Sequence, residues 1–172
     1  MESTPIEYLE VVDKNNRLIG LQSRKDIHEK GLLHRSVHIF IFNKREELYL
    51  QKRSPRKDQY PDHWDSSAAG HNDPGETPSQ TAQRELQEEL GLEIPLTEVL
   101  QHPACLETGG EFVTLFEART DAPIQLNLEE ATVGAFFTPD QLTQLLSDPL
   151  QKIAPGFRLL YDLYQKKNSL KY

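Results

Sequence analysis

The residues from Thr77 to Gly91 spell out a helix together with both of its ends, and that helix carries three acids on one side. Thr77 has the hydroxyl that an N-cap uses, Pro78 suits the first helical position because its missing N–H needs no partner there, and Gln80 can close a reciprocal cap. The helix is predicted to run to Leu90, with Gly91 as the left-handed stop. At ~100° per residue, Glu85, Glu88 and Glu89 fall within one sector about 100° wide. Ala82, Leu86 and Leu90 form an apolar stripe beside it, so the helix packs through that stripe, with the acids beside the packed edge and Glu89 expected to face solvent. Carboxylates ~5.5 Å apart repel by on the order of 3 kcal/mol per pair at an effective dielectric of about 20. Such a face is either a solvated charge run or a site that needs a cation, and hard oxygen ligands in this number suit Mg²⁺, with Mn²⁺ as a substitute.

The rest of the chain bounds the classes of function. Its 172 residues suit one domain with one core, so residues 1–172 are read as a single unit. Hydrophobic residues at 37% and a mean hydropathy of -0.63 leave no apolar run of the ~18 residues a bilayer span needs, so no membrane partner is expected. Met1 to Asp13 mixes acids with apolar residues and lacks a basic start, so no secretory leader is read there and the cytoplasm is the default location. Cys105 is the single cysteine, which excludes an internal disulfide framework and any zinc site built from cysteine pairs. Lys and Arg total 19 against 27 Asp and Glu, a net charge of -8, the wrong sign for gripping long nucleic acid through its phosphates.

Along the chain, Glu7 to Val12 and Leu18 to Gln22 flank the polar turn at Asp13 to Asn16, as in a hairpin. Ser23 then caps a short helix ending at Gly31. Val37 to Phe42 and Leu48 to Gln51 read as central strands, and Arg53 to Asp65, with two prolines, as an irregular surface segment. Phe112 to Phe116 and Thr132 to Thr138 are later strands. Thr138-Pro139 opens a helix through Leu145, and Pro155 opens another with Phe157, Leu160, Tyr161 and Tyr164 on one face. The interleaving implies an α/β (α+β) fold with a mixed sheet.

The frame around the acidic helix is more specific than the helix. Gly70, Glu76, Arg84-Glu85-Leu86, Glu88-Glu89 and Gly91-Leu92 stand at the spacing of the Nudix box at every defined position. With ~6% frequency per named residue, seven exact matches in any of ~150 windows have a chance below about 10⁻⁶. The sequence therefore resembles the Nudix hydrolase family. The resemblance implies an α/β/α sandwich whose loop–helix–loop box holds divalent metal. It implies Glu85 and Glu89 as principal Mg²⁺ ligands, Glu88 as a further ligand or the base, the Gly70 carbonyl as another ligand, and Arg84 paired with Glu76. The reaction implied is attack of an activated water on phosphorus of a diphosphate linkage.

Outside the box, Lys30-Gly31-Leu32-Leu33-His34-Arg35, Gln51-Lys52-Arg53-Ser54, Lys57-Asp58, Pro61, Trp64-Asp65 and Ala69-Gly70-His71 resemble the isopentenyl-diphosphate-isomerase-like branch of the superfamily. In isomerases a cysteine stands just before the glycine corresponding to Gly70. Here Ala69 replaces it, while Glu111 matches the acid on the facing strand and Gly109 stands where a further metal-binding acid would be. Lys52, Arg53, Arg56 and Lys57 either bind substrate phosphates or form a solvated basic loop. His34, His38 and His71 are read as hydrogen-bonded structural residues, with metal ligation as the alternative. Glu111 is a second-sphere ligand or base, and Cys105 a small buried apolar residue. Tyr60, Trp64 and Phe137 either pack the core or stack on a base.

These readings converge on a Mg²⁺-dependent hydrolase cleaving the diphosphate linkage of a nucleotide derivative, a small-molecule substrate, with a homodimer left open. The alternatives are an isopentenyl-diphosphate isomerase-like enzyme and a nucleotide-binding regulatory module.

Overall fold

The computed structural model describes residues 6–170, so the first five residues of the Met1 to Asp13 stretch lie outside it. Strands β1 (Tyr8–Val12) and β2 (Leu18–Ser23) form an antiparallel hairpin. Its turn is held by Asp13 Oδ1, which accepts from the N–H groups of Asn15 and Arg17 at 2.8 and 3.0 Å. Ser23 accepts from Asp26 N–H to start α1 (Arg24–Lys30), and Gly31 in the left-handed conformation ends it. Leu9, Val11 and Ile27 bury together and fasten this unit.

The main sheet is built around β3 (His34–Phe42), which runs parallel to β8 (Glu111–Arg119) along its whole length. On its other edge β3 is shared: β6 (Ala68–His71) pairs with Ser36 to Ile39, and β4 (Leu48–Arg53) with Ile41 and Phe42. Ser67 Oγ bridges the split, accepting from Ile41 N–H at 2.8 Å and donating to the Tyr49 carbonyl at 2.5 Å. β4 continues outward to pair with β5 (Trp64–Asp65) and β9 (Ala131–Phe137), and β7 (Thr97–His102) closes the far edge against β8. The result is a mixed, seven-stranded sheet.

Strand alternation sorts its side chains into two cores. Val37, Ile39, Ile41 and Tyr49 face α2 (Pro78–Leu90) through Ala82, Leu86 and Leu90. Phe40, Phe42, Leu48 and Leu50 face α4 (Pro155–Ser169) and Leu142 of α3 (Pro139–Ser147). This is the α/β/α sandwich with a mixed sheet expected from the sequence. No helix among the described residues is long and apolar enough to cross a membrane.

Two strands, β6 and β7, were absent from the sequence reading, and β3 begins three residues earlier than Val37. The segment from Arg53 to Asp65 is less peripheral than expected, because Ser54 and Asp65 are buried and its end forms β5.

Candidate active site

Among the described residues β6 pairs with no strand but β3, and a cavity of about 300 Å³ opens beside it. Side chains reach this cavity from both faces of the sheet. From the α2 side come Glu85, Glu88 and Glu89. From the α4 side come Ser36, His38, His71 and Glu111, with the first turn of α4.

The position of α2 is set at both ends: Thr77 and Gln80 form the reciprocal cap, and Gly91 stops the helix at φ 65°. The apolar stripe seats on the sheet and carries Glu89 inward with it. Contrary to the expectation of a solvent-facing group, Glu89 is only 5% exposed. The cover comes from β4 and β6, since Glu89 Oε2 accepts from Gln51 Nε2 at 2.6 Å and from Ala69 N–H at 3.3 Å. Glu85 lies against Gly70, where a Cβ would stand 2.0 Å from Glu85 Oε1. Glu88 is the open member of the set, with its side chain 58% exposed.

Arg84 ties loop to helix. Its Nε and Nη2 donate to the two oxygens of Glu76, both at 2.9 Å, Nη2 also donates to the His71 carbonyl at 3.1 Å, and Nη1 reaches Glu85 Oε1 at 2.7 Å. The Arg84 hydrogen bonds hold the Glu76 carboxyl down at about 2. The neighbouring acids behave in the opposite way. Burial pushes Glu85 up to about 7, and burial together with the Glu85 charge pushes Glu89 up to about 8. Two carboxylates, one buried and one largely enclosed, that hold on to protons near neutral pH fit a divalent cation, which supplies the charge their surroundings lack.

A second cluster lies on the α4 face. His28 from α1, His34 from β3, His71 from β6 and Glu111 from β8 each offer one ligand atom, and those atoms all lie within 4.8 Å of one another. His71 Nε2 lies 3.1 Å from Glu111 Oε1. His34 Nδ1 bonds the Leu32 carbonyl at 3.0 Å and must donate to it, so its Nε2 presents a lone pair 3.4 Å from the same carboxylate oxygen. That Nε2 and both ring nitrogens of His28 are buried with no hydrogen-bond partner. Burial, and then the neighbouring His71 and His34, hold His28 below its usual value. Burial works to raise the Glu111 carboxyl, but the facing His34 and His71 rings outweigh it and hold it well below the ordinary range. Imidazole lone pairs converging on a carboxylate are a donor set for a metal ion.

His38 stands apart from this cluster, with Nδ1 2.7 Å from Ser66 Oγ, and burial holds it below its usual value. Of the basic residues, Arg53 and Lys57 line the cavity, whereas Lys52 and Arg56 do not. Lys52 projects from the other face of β4, and Arg56 sits exposed on a turn closed by Lys57 N–H to the Ser54 carbonyl at 3.1 Å. Arg53 is fixed by Asp65 at 3.2 Å and the Gln59 carbonyl at 3.1 Å, and Lys57 pairs with Glu130. Arg24, which the sequence reading missed, reaches the cavity from α1. Cys105 is half-buried rather than packed in a core, in a turn where Thr108 Oγ1 accepts from its N–H at 3.0 Å. Trp64 packs edge-on against Phe137 at 5.1 Å, and Tyr60 lies at the cavity wall.

The sandwich and a carboxylate-bearing helix beside a glycine strand define a class. Residues 32–159 match the family model described as the NUDIX domain, and the chain belongs to the Nudix family. It is similar to an isopentenyl-diphosphate Delta-isomerase of Pectobacterium atrosepticum, 30% identical over 162 residues, which covers 91% of this chain and 90% of the relative. It is also similar to an uncharacterized Nudix hydrolase of Pseudomonas aeruginosa, 34% identical over 135 residues, covering 78% of this chain and 80% of that protein. Among solved structures, DR0079 of Deinococcus radiodurans superposes with a TM-score of 0.78 at 25% identity, covering 95% of this chain and 98% of the other.

Proposed function

We propose that this chain is a Mg²⁺-dependent hydrolase that cleaves the diphosphate linkage of a nucleotide derivative. The observation that carries the reading is the pair Glu85 and Glu89 beside Gly70, two largely enclosed carboxylates raised to about 7 and about 8, which retain protons near neutral pH that a bound cation would displace. Glu85, Glu88, Glu89 and the Gly70 carbonyl would hold the metal. Bound there, it supplies positive charge that lowers the pKa of water and stabilises the leaving phosphate. Glu88, the exposed acid of the set, takes the proton of the attacking water. Arg53 and Lys57 hold substrate phosphates in line, and Arg84 keeps Glu85 and the Gly70 strand in register.

The cluster of His28, His34, His71 and Glu111 favours a second reading, allylic isomerisation of a prenyl diphosphate, since two of its members, His71 and Glu111, line the same cavity. Against it stands Ala69, whose methyl group has no proton to give. Release of inorganic phosphate or of a phosphate monoester over a panel of nucleoside di- and triphosphates, sugar nucleotides, dinucleotides and isopentenyl diphosphate, with Mg²⁺ and with chelator, tests the proposal. Release that depends on Mg²⁺ is expected for a nucleotide. Binding without turnover across the whole panel would overturn the reading in favour of a regulatory module.

A further inference from the structure

Helix α4 begins at the wall of the cavity, and its first donors have no acceptor among the described residues. Its N-cap is Ala154, which makes no side-chain bond, and Pro155 at the first helical position has no N–H. The first N–H of the helix ladder to find an acceptor is that of Arg158, 3.1 Å from the Ala154 carbonyl. Gly156 and Phe157 between them keep free N–H groups, and both residues line the cavity. The helix is 15 residues long, so the positive end of its dipole is fully developed there.

A separate observation points to a ligand at this end. Ser36 is 3% exposed and lines the cavity, yet its Oγ has no hydrogen-bond partner. His38, two residues further along the same face of β3, turns toward α4: its Cε1 lies 4.0 Å from the point where a Cβ on Gly156 would stand. With Nδ1 bonded to Ser66 Oγ at 2.7 Å, the Nε2 edge is left for the cavity, and it donates there when the Ser66 hydroxyl donates to Nδ1. The nearby Asp65 carboxylate is already engaged, by Ser66 N–H at 2.8 Å and Arg53 at 3.2 Å, so it does not compete.

The geometry points to an anion subsite formed by the N–H groups of Gly156 and Phe157, the hydroxyl of Ser36 and the Nε2 edge of His38, which takes a phosphate of the substrate other than the one water attacks. Free N–H groups at the start of a helix, joined by neutral donors, are what a phosphate oxygen recognises without metal. The substrate class narrows accordingly to diphosphate compounds with a further phosphate, either at the end of a polyphosphate chain or on a ribose. This narrowing rests on the hydrolase reading, whereas the subsite does not.

The test is a titration of ¹⁵N-labelled, metal-stripped protein with inorganic phosphate, following individual amides. Saturable shifts at Gly156 and Phe157 are expected. Gly156→Leu, which places bulk between His38 and the Glu107 carbonyl, should abolish them, and His38→Phe should weaken phosphate binding about fivefold or more. Should Gly156→Leu unfold, His38→Phe carries the comparison. Shifts confined to the Arg53 and Lys57 region, with Gly156 and Phe157 unmoved, would overturn the subsite. Hydrolysis of ATP, ADP-ribose and ADP-ribose 2′-phosphate then separates the sources, because Gly156→Leu should raise KM selectively for whichever compound places its extra phosphate there. Phosphate shifts at Gly156 in a protein that hydrolyses none of them would keep the subsite and remove the hydrolase reading.

Discussion

Gly70 and Glu89 show how far single atoms decide this site. A methyl group on Gly70 would fall 2.0 Å from Glu85 Oε1, and the atom it displaces is the free end of a flexible side chain. Gly70→Ala should therefore keep its melting temperature within a few degrees while losing metal affinity about tenfold or more. Metal titration read by calorimetry checks this, and unchanged affinity would contradict the placement of Glu85. Glu89 makes the complementary case through protons. Its folded value of about 8, and about 7 for Glu85, lie above the ordinary 4.5, so the folded chain keeps protons that the unfolded chain releases. Without metal, stability is thus lost as pH rises from about 4.5 toward 8, and metal, which favours the ionised pair, restores it. His28 and His38, held below 6.5 by burial, act in the opposite sense on the raw melting curve, so the quantity to read is the gain on adding Mg²⁺. That gain should grow steadily between pH 5 and 8 in the wild type (about the window these shifts define) and shrink in Glu89→Gln, with turnover down about 100-fold or more. A gain flat with pH would show that these carboxylates do not bind the ion.

At the scale of elements, the box works as a loop sewn to a helix. Arg84 satisfies Glu76 with two bonds of 2.9 Å and reaches back to the His71 carbonyl at the end of β6, so one guanidinium joins β6, the loop and α2. Arg84→Ala removes the counter-charge of the partly buried Glu76 carboxylate, leaving it only the Asp73 N–H and the Thr81 hydroxyl, and takes the guanidinium from the His71 carbonyl. It should cost about 2–3 kcal/mol in chemical denaturation and lower activity in parallel. Intact stability with lost activity would mean that Arg84 acts on substrate instead. This helix was legible in the chain because its cap, its stop and its apolar stripe are local signals. So were the hairpin and α1, where Ser23, Asp26 and Gly31 mark the boundaries. β6 was not legible, because Ala68-Ala69-Gly70-His71 has no strand-forming composition and exists as a strand only through Ser36 to Ile39 of β3. The early part of β3 hid for a related reason: the polar His34 and Ser36, on the strand face turned away from α2, break the apolar pattern by which a strand is read. His28 could not have been found from spacing, since only the packing of α1 against the hairpin brings it to His34 and His71, with ring centroids 5.4 and 5.3 Å away.

Taken whole, the molecule resembles an isomerase over most of its length and yet carries a complete hydrolase box, so the two chemistries must be separated by what the cavity holds. Both poles reach one cavity, the carboxylates of α2 on one side of β6 and, on the other, His71 and Glu111, behind which His28 and His34 complete the cluster. Isomerising an allylic diphosphate requires an acid on one face of the carbon skeleton and a base on the opposite face. Glu111 is positioned as one of the pair, but its oxygen is already engaged by His71 at 3.1 Å. The facing position is Ala69, which shares a face with His38 in the β3–β6 register. Cys105 offers no replacement, since it stands in a turn outside the cavity wall and its Sγ lies 3.6 Å from Thr108 Oγ1. Hydrolysis asks for less, a water, a cation site and an in-line path to phosphorus, and the α2 face supplies the residues for it. The purified protein should therefore incorporate no deuterium from heavy water into isopentenyl diphosphate in the presence of Mg²⁺ or Mn²⁺. Ala69→Cys, which places a proton donor beside Gly70, should raise exchange above background. Exchange at catalytic rates in the wild type would overturn the hydrolase assignment and identify His71 or Glu111 as the acid, to be told apart by His71→Asn and Glu111→Gln.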